Sequence, residues 1–583
     1  MKSIREYVEI SVEKAFDEAQ IDKKFAKVVK SQRPDLCQFQ CNGALAAAKS
    51  IGKNPREIGQ NIVDILSKNA DFSKVEIAGA GFVNITLKDE IIAKIILSQN
   101  FENSKDNFSQ TIILDFGGPN VAKPMHVGHL RSAIIGDCLR RLFKYLGYKV
   151  IADNHLGDWG TQMGMLICKT KEKYPNLPYF DENFSGEYPQ NPPFDISELE
   201  LLYPQASKEC KENPENLAQA IKATDELQQG KIGFVALWKH FVKLSKDTLK
   251  NDFSKLDVEF DFWLGESFYA DRMKEIVEYL KKENFAKESQ GALVFEVGEP
   301  SDTKEIPPVL LVKSGGGFLY ATSDIATIDY RVKEFSPNRI CYVVDKRQSL
   351  HFEQVFRAVK KAKIAPQNLL LEHIGFGTVN GADGKPYKTR EGGVMKLCDL
   401  IDSVINKAKV RIEEAGLATD ASENEKTKIA ETVGISALKF ADLSNHRLSD
   451  YVFDLDKFCA FEGKTGPYLL YTAVRIKSII RKVKDAKIVS RDILVTDNDR
   501  DLLLEIGRLS DVLESAGVDC SPNYLCDYIY GLSQEFNRFY NNSPILREEN
   551  SKLQSSRLKI AEITLKTIET VLEILGINIP ERM

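Results

Sequence analysis

Two of the chain's seven histidines, His126 and His129, stand three positions apart in DFGGPNVAKPMHVGHLRSAIIGD, residues 115–137, astride Gly128. The start of a helix offers free backbone N–H groups and the positive end of a dipole, and both attract phosphate. Imidazoles placed there can follow negative charge as it develops on a phosphorus under attack. Gly128 removes a side chain between them, which lets a flat ring such as adenine lie against the backbone. The chemistry this pattern suits is in-line attack on the α-phosphate of ATP, in which catalysis is mostly positioning and electrostatic stabilisation. Lys123, just upstream, adds a cation. Taken alone, an HxxH spacing also reads as surface or helix-capping histidines.

Such groups need a scaffold, and the flanking sequence supplies one. TIILDF, before the motif, is a β-branched apolar run of the length of a buried parallel strand. HLRSAIIGDCLRRLFKYLGY then places Leu130, Ile134, Ile135, Leu142, Phe143 and Leu146 on one helical stripe and stops at Gly147. KVIADNHLGDWG reads as the next strand, with another histidine, His155, behind it. Strand, glycine loop, helix and strand make a βαβ unit, and ligands of doubly wound sheets sit at the carboxyl ends of the strands, where the motif lies.

The rest of the chain divides around this unit. Residues 1–105 alternate helix-like and strand-like segments and read as a separate α+β domain, followed by the polar run FENSKDNFSQ. Residues 106–425 read as an α/β, Rossmann-like parallel-sheet domain, with an insertion around 174–231 where Pro, Asn and acids accumulate. The sheet is predicted to resume with PPVLLVKSGGGFLYATSDIATIDYRV, RICYVVDKRQSLHFEQVFRAVKKA and LLLEHIGFGTV. From Lys426 to residue 583 the periodicity is helical almost throughout.

Composition limits the classes open to it. At 583 residues the chain exceeds one core, since domains run to about 100–200 residues. With 43% hydrophobic and 28% charged residues it has ordinary globular composition, and no apolar run approaches the ~18 residues of a membrane span. Its opening, MKSIREYVEISVEKAFDEAQ, reads as an amphipathic helix of mixed charge where a signal peptide would be uniformly apolar, so a cytoplasmic location is expected. The ten cysteines are scattered. The nearest pairs, Cys37 with Cys41 and Cys520 with Cys526, lack a second CxxC or a neighbouring His, so buried thiols are expected and no metal ligands. A net charge of −5 excludes a uniformly basic nucleic-acid binder and confines any such contact to local patches.

PNVAKPMHVGHLRSAIIGD resembles the HIGH signature of class I aminoacyl-tRNA synthetases in the form typical of arginyl-tRNA synthetases. The likeness extends through NHLGDWGTQ, YATSDIA, RQSLHFEQ, GKPYKTREGG and GKTGPYLLYTAVRI, in family order and over most of the chain. The resemblance implies arginine, ATP with Mg2+ and tRNA(Arg) as substrates, a monomer, and an all-helical anticodon-binding domain at about 465–583. A nucleotidyltransferase that makes a small coenzyme would share the histidine chemistry but leave both terminal domains without a use. A non-catalytic RNA-binding relative would keep the basic helix and lose the site.

Residue by residue, the resemblance places Pro119, Val127, Gly128 and Gly377 on ATP. A guanidinium carries five donors in a planar fork and is held by a carboxylate aided by neutral acceptors. Asp324 with Tyr320 is implied for that group, and Asp115, Asn120 and Gln348 for the amino and carboxylate end of arginine. Read singly, without the resemblance, Asp324 reads first as a helix cap after Ser323, Tyr320 as a core aromatic and Asp115 as a salt-bridge partner. GKPYKTREGG matches the family's second signature, but Glu391 stands where its essential lysine is expected. Lys123 is the implied substitute, with Lys385, Lys388 and Arg390 as further cations in a loop that also reads as merely solvated. Arg475, Lys477, Arg481, Lys482, Lys484, Lys487 and Arg491, with Tyr468 and Tyr471, form a basic, aromatic face that alone reads first as a solvated face and that the resemblance assigns to RNA. Within it Tyr471 and Arg475 are implied for the anticodon domain. Phe82 and Asn84 fall where the family's N-terminal domain meets the tRNA elbow, although Phe82 also reads as a core strand residue.

Overall fold

The computed structural model describes every residue except 1, 2, 105, 106, 192, 315, 386, 388–394 and 484–491. The chain forms two compact units, one of residues 1–104, 409–440 and 459–583, the other of residues 105–408 and 441–458.

The first unit opens with an α+β fold. Its helices are α1 (Ile4–Glu18), α2 (Gly43–Ile51), α3 (Pro55–Leu66) and α4 (Asp89–Leu97). Strands β1 (Val28–Lys30), β2 (Phe39–Cys41), β3 (Phe72–Ala78) and β4 (Phe82–Leu87) form one antiparallel sheet in the order β1-β2-β4-β3. Helix starts obey local rules: Ser3 caps α1, and Pro55 opens α3 behind the Asn54 cap.

In the second unit, β5 (Thr111–Phe116) leads into α5 (Val127–Tyr145), then β6 (Lys149–Asp153) and α6 (Thr161–Lys173). Helices α7 (Ile196–Glu212), α8 (Pro214–Gln228), α9 (Ile232–Lys255) and α10 (Ala270–Lys282) follow, then β7 (Ala286–Ser289), β8 (Ala292–Phe295) and β9 (Val309–Val312). The chain continues through α11 (Tyr320–Phe335), β10 (Arg339–Val343), α12 (Ser349–Lys361), β11 (Leu370–His373) and the short β12 (Val379–Asn380). The parallel sheet has the order β11-β10-β5-β6, and β5, buried along its whole length, lies inside it. Ser132 of α5 joins helix to sheet: its Oγ accepts from Gly117 N–H at 2.8 Å and donates to the Val343 carbonyl at 2.7 Å.

Two expectations need correction. The apolar run at 308–312 does not resume the parallel sheet; β9 pairs antiparallel with β8 in a separate sheet, β7-β8-β9. Its residues alternate, with Val309 and Leu311 buried and Leu310 41% exposed, the signature of a strand covered on one face only. The boundary at 425/426 also differs. Helices α13 (Leu397–Glu414) and α14 (Glu423–Leu443) carry the chain onward, and residues 441–458, with β13 (Tyr451–Val452) and α15 (Leu455–Phe458), belong with the sheet unit because β13 pairs with β12. The C-terminal part is helical as expected: α16 (Gly466–Val483), α17 (Asp497–Ile506), α18 (Leu509–Val518), α19 (Asn523–Asn542) and α20 (Ser551–Ile574).

Candidate active site

Helix α5 begins in a reciprocal cap made by the two histidines. His126 Nδ1 accepts from Gly128 N–H at 3.0 Å, and His129 Nδ1 accepts from His126 N–H at 3.1 Å. The capping reading therefore holds, and it sets the chemistry: with Nδ1 taken on both rings, the proton of each neutral imidazole sits on Nε2. The ring centroids are 4.0 Å apart. Desolvation, with the charges of His126 and Lys123 added, lowers His129 to about 3, and desolvation with Lys123 lowers His126 as well. A Cβ on residue 128 would stand 2.6 Å from His126 Cε1, so the cap closes only over glycine.

A cavity of about 500 Å3 opens at the carboxyl ends of β5 and β10, and the histidine cap forms part of its wall. Asp115, Asn120, His126, Gly128, His129, Tyr320, Asp324 and Gln348 all line it. The first turn of α11 supplies two of these. Tyr320 is 66% exposed and so is no core aromatic, while Asp324 lies inside the helix and caps nothing. Asp324 Oδ2 instead binds Nε2 of His351 at 2.6 Å. Burial lowers the His351 pKa, but the hydrogen bond and charge of Asp324 outweigh it and leave the imidazole above its ordinary value.

Asp115 is a salt-bridge partner as well as a wall residue. Its Oδ2 accepts from Arg331 Nη2 at 2.6 Å, and the same nitrogen reaches Asp153 Oδ2 at 2.8 Å. Arg331 is fully buried, with Tyr342 stacked 5.4 Å from it. Asn120 is held by close backbone approach: it bridges to Gly157, where a Cβ would come within 2.3 Å of Asn120 Oδ1.

The other implied residues do not line this cavity. The Pro119 carbonyl accepts from Gly157 N–H, Val127 N–H donates to the Met395 carbonyl, and Gly377 is buried with its N–H on the Arg447 carbonyl, each next in sequence to a residue that lines the cavity. The Lys123 ammonium lies 4.8 Å over the Tyr203 ring of α7. Lys385 is exposed in a turn in which Gly381 N–H donates to its carbonyl at 2.8 Å. Lys388, Arg390, Glu391, Lys484, Lys487 and Arg491 lie outside the described residues.

Sequence reasoning missed Glu266 and passed over His351. Glu266 lines the same cavity from the loop before α10, a loop tied to β6 and its extension by bridges Asp153–Phe262 and Leu156–Gly265. Burial pushes its carboxyl up to about 7, with Asp158 and Asp324 adding repulsion and His155 opposing them. His351 follows Gln348 by one helical turn and was visible by spacing. Glu266 had no local pattern to announce it.

In the first unit, Asn84 is 3% exposed and accepts from Gln40 Nε2 at 2.9 Å. It borders a cavity of about 450 Å3 lined by Gln32, Gln40, Asn42, Lys30 and Arg33 together with Val29 and Leu36. Phe82 is half-buried and does not line it. On α16, Tyr471 is exposed, and the Arg475 guanidinium lies 4.7 Å over the Tyr540 ring. Lys477 faces Glu569 and Glu581, so part of the basic face is neutralised within the chain.

A parallel sheet, a histidine-capped helix at its carboxyl edge and a helical C-terminal part are the marks of a class I aminoacyl-tRNA synthetase, and residues 91–455 match the family described as tRNA synthetases class I (R), catalytic domain. Residues 469–583 match the DALR anticodon binding domain, and residues 2–87 the arginyl tRNA synthetase N terminal domain. The chain belongs to the arginyl-tRNA synthetase family. It is 46% identical over 590 residues to the arginine–tRNA ligase of Alkaliphilus oremlandii and 45% identical over 589 residues to that of Maricaulis maris, covering all of both chains in each case. Among solved structures it is similar to the Plasmodium falciparum arginyl-tRNA synthetase, with a TM-score of 0.82 at 28% identity over the whole of both chains. The Thermus thermophilus arginyl-tRNA synthetase shares the fold at a TM-score of 0.80 and 20% identity, again over all of both chains.

Proposed function

We propose that arginine and ATP meet in the 500 Å3 cavity, and that an arginine carboxylate oxygen attacks the α-phosphorus of ATP beside the two imidazoles. The chain is an arginine–tRNA ligase, which activates arginine with ATP and charges tRNA. In the first step the new O–P bond forms as the bond to pyrophosphate breaks, giving arginyl-adenylate. In the second, the terminal ribose of tRNA(Arg) takes the arginyl group and AMP leaves. The observation that carries this reading is the pairing of Asp324 and Glu266 with the histidine cap on one cavity. A cation is wanted at one end and a phosphate at the other.

At the phosphorus, the Nε2–H groups of His126 and His129 donate to the oxygens that gain charge. Gly128 lets the His126 ring fold over its own N–H and so sets both imidazoles toward the nucleotide, and Pro119, Val127 and Gly377 lie behind them. Lys123 and Lys385 balance the charge that leaves with pyrophosphate, and Mg2+ arrives on the triphosphate as part of that substrate. At the other end, Asp324, Glu266 and Tyr320 take the guanidinium, while Asp115, Asn120 and Gln348 take the amino and carboxylate groups. Phe82 and Asn84 meet the tRNA elbow, and Tyr471 and Arg475 the anticodon arm. The enzyme works as a cytoplasmic monomer and requires bound tRNA before it activates arginine. Exchange of labelled pyrophosphate into ATP without tRNA refutes that requirement, and sedimentation as a dimer refutes the monomer. The reading as a whole is tested by charging total tRNA with each of the twenty amino acids in parallel, with arginine alone expected to be accepted.

The two perturbed groups predict a pH dependence. A bound guanidinium stabilises ionised Glu266, whose pKa then falls from about 7, and it takes Asp324 from His351, whose raised pKa then falls too. Both groups give up protons, so arginine binding releases protons and tightens as pH rises between about 6 and 8. Calorimetry in two buffers of different ionisation enthalpy measures this directly. Proton uptake contradicts it, and Glu266→Gln reduces the release. In the ligand-free fold the sign for Glu266 is the reverse of an ordinary carboxylate's: a raised folded pKa means stability is lost as pH climbs from the unfolded value of about 4.5 towards 7.

A further inference from the structure

We propose that Arg131 is a positioning residue for the adenylation step, holding the helix of His126 and His129 against the strand pair from which the Lys385 turn springs. Arg131 lies on α5 two residues past His129 and is 1% exposed. Its Nε donates to Asp442 Oδ2 at 3.2 Å and its Nη1 to the Ser449 carbonyl at 2.9 Å. The guanidinium lies over two rings, 5.3 Å from Tyr451 and 5.9 Å from Phe376. Tyr451 closes the circuit by donating to Asp442 Oδ2 at 2.9 Å.

Each partner stands at a strategic place. Phe376 lines the cavity. Tyr451 lies in β13, whose parallel partner β12 runs directly into the turn in which Gly381 N–H meets the Lys385 carbonyl. On its other side the start of α5 is tied to residues 395–397: Val127 N–H donates to the Met395 carbonyl, Leu397 N–H to the Met125 carbonyl, and His126 bridges Lys396. The histidine cap is thus anchored on both flanks, once by backbone and once by Arg131.

Stability alone does not account for such a residue. A buried ion pair is often no better for stability than a well-packed apolar substitute of equal volume, but it demands one geometry. Arg131 takes no part in the cavity wall, so it touches neither arginine nor ATP and acts only through the histidines and the Lys385 turn. Loss of the geometry should slow the chemical step and spare ground-state binding, because misplacement of reacting groups by about 1 Å can cost about 100-fold in rate.

This rests on the proposed role of the imidazoles, and the experiment separates the two. Active-site-titrated enzyme is assayed for arginylation with saturating tRNA(Arg) as wild type, Arg131→Lys, Arg131→Met, Tyr451→Phe, His129→Ala and the double variant Arg131→Lys/His129→Ala. Arg131→Lys and Arg131→Met are expected to lower kcat about 10- to 100-fold with the KM for arginine within about twofold of wild type. Tyr451→Phe, which removes one hydrogen bond and keeps the ring, lowers kcat about threefold and serves if the Arg131 variants do not fold. Arg131→Lys adds no more than about twofold to the loss in His129→Ala, because both act on the same contact. A lower titrated fraction with wild-type kcat per site, or losses that multiply in the double variant, overturns the role of Arg131 alone. Wild-type kcat in His129→Ala overturns the reading of the imidazoles and this proposal with it.

Discussion

Asp324→Asn raises the KM for arginine about 100- to 1000-fold, equivalent to about 3 to 4 kcal/mol, and leaves the KM for ATP within about threefold of wild type. Charge and geometry set the size of this effect. A guanidinium brought into a cavity sheds water from five N–H donors, and only an ionised, two-oxygen acceptor restores both the charge and a bidentate pair. Asparagine offers one acceptor oxygen and replaces the other with a donor that faces the fork unfavourably. Glu266 makes up only part of the loss, since burial pushes its carboxyl up to about 7 and arginine must draw off its proton as it binds. Steady-state kinetics over a wide arginine range measures the change, and a rise under threefold would remove Asp324 from the guanidinium site.

Removal of either imidazole acts on the other kinetic constant. His129→Ala and His126→Ala are each expected to lower kcat by about 100- to 1000-fold with little change in KM, the effect of deleting one preorganised donor to an oxygen that gains charge in the transition state. Burial pushes His129 down to about 3 and lowers His126 as well, so on the proposed mechanism their Nε2–H groups would act by direction and not by ionisation. Activity therefore has no acidic limb from His129 between about pH 6 and 8. Stability does respond at lower pH. A histidine whose folded pKa is depressed contributes stability that is present above its unfolded value of about 6.5 and is lost as pH falls towards the folded one. A kcat within threefold of wild type in either alanine variant would exclude that imidazole from the reaction.

Much of this site is legible in the sequence, and the reason is local. His126, Gly128, His129, Asp115 and Asn120 sit on one strand-to-helix crossover, where sheet geometry fixes which end faces the ligand. Tyr320 and Asp324 share a helix turn, and Gln348 and His351 another. Glu266 was not legible, because a loop distant in sequence brings it to the cavity through two backbone bridges. Arg331 was hidden for the opposite reason: in TIDYRV it looks like a solvated helix residue, and only the strand order brings Asp115 and Asp153 to it. Run length misled at β9, where Val309–Val312 is apolar enough for a parallel strand yet exposes Leu310 in an antiparallel one. Continuous helical periodicity also concealed the return of residues 441–458 to the sheet unit, which depends on the β12–β13 pairing and on Asp442 beneath Arg131.

An inert copy of a charging enzyme is a hazard to a cell, because it still sequesters its nucleic acid without releasing a usable product. Each of the two rings at the head of α5 also fastens the first turn of the helix through a backbone N–H, so losing one weakens the fold as well as the proposed chemistry. Losing such a fastening costs about 1 kcal/mol, and a destabilisation of about 1 to 2 kcal/mol is enough to change a protein's abundance several-fold through proteolysis. Pulse-chase turnover should find His126→Ala shorter-lived than Asp324→Asn, and equal lifetimes would contradict it.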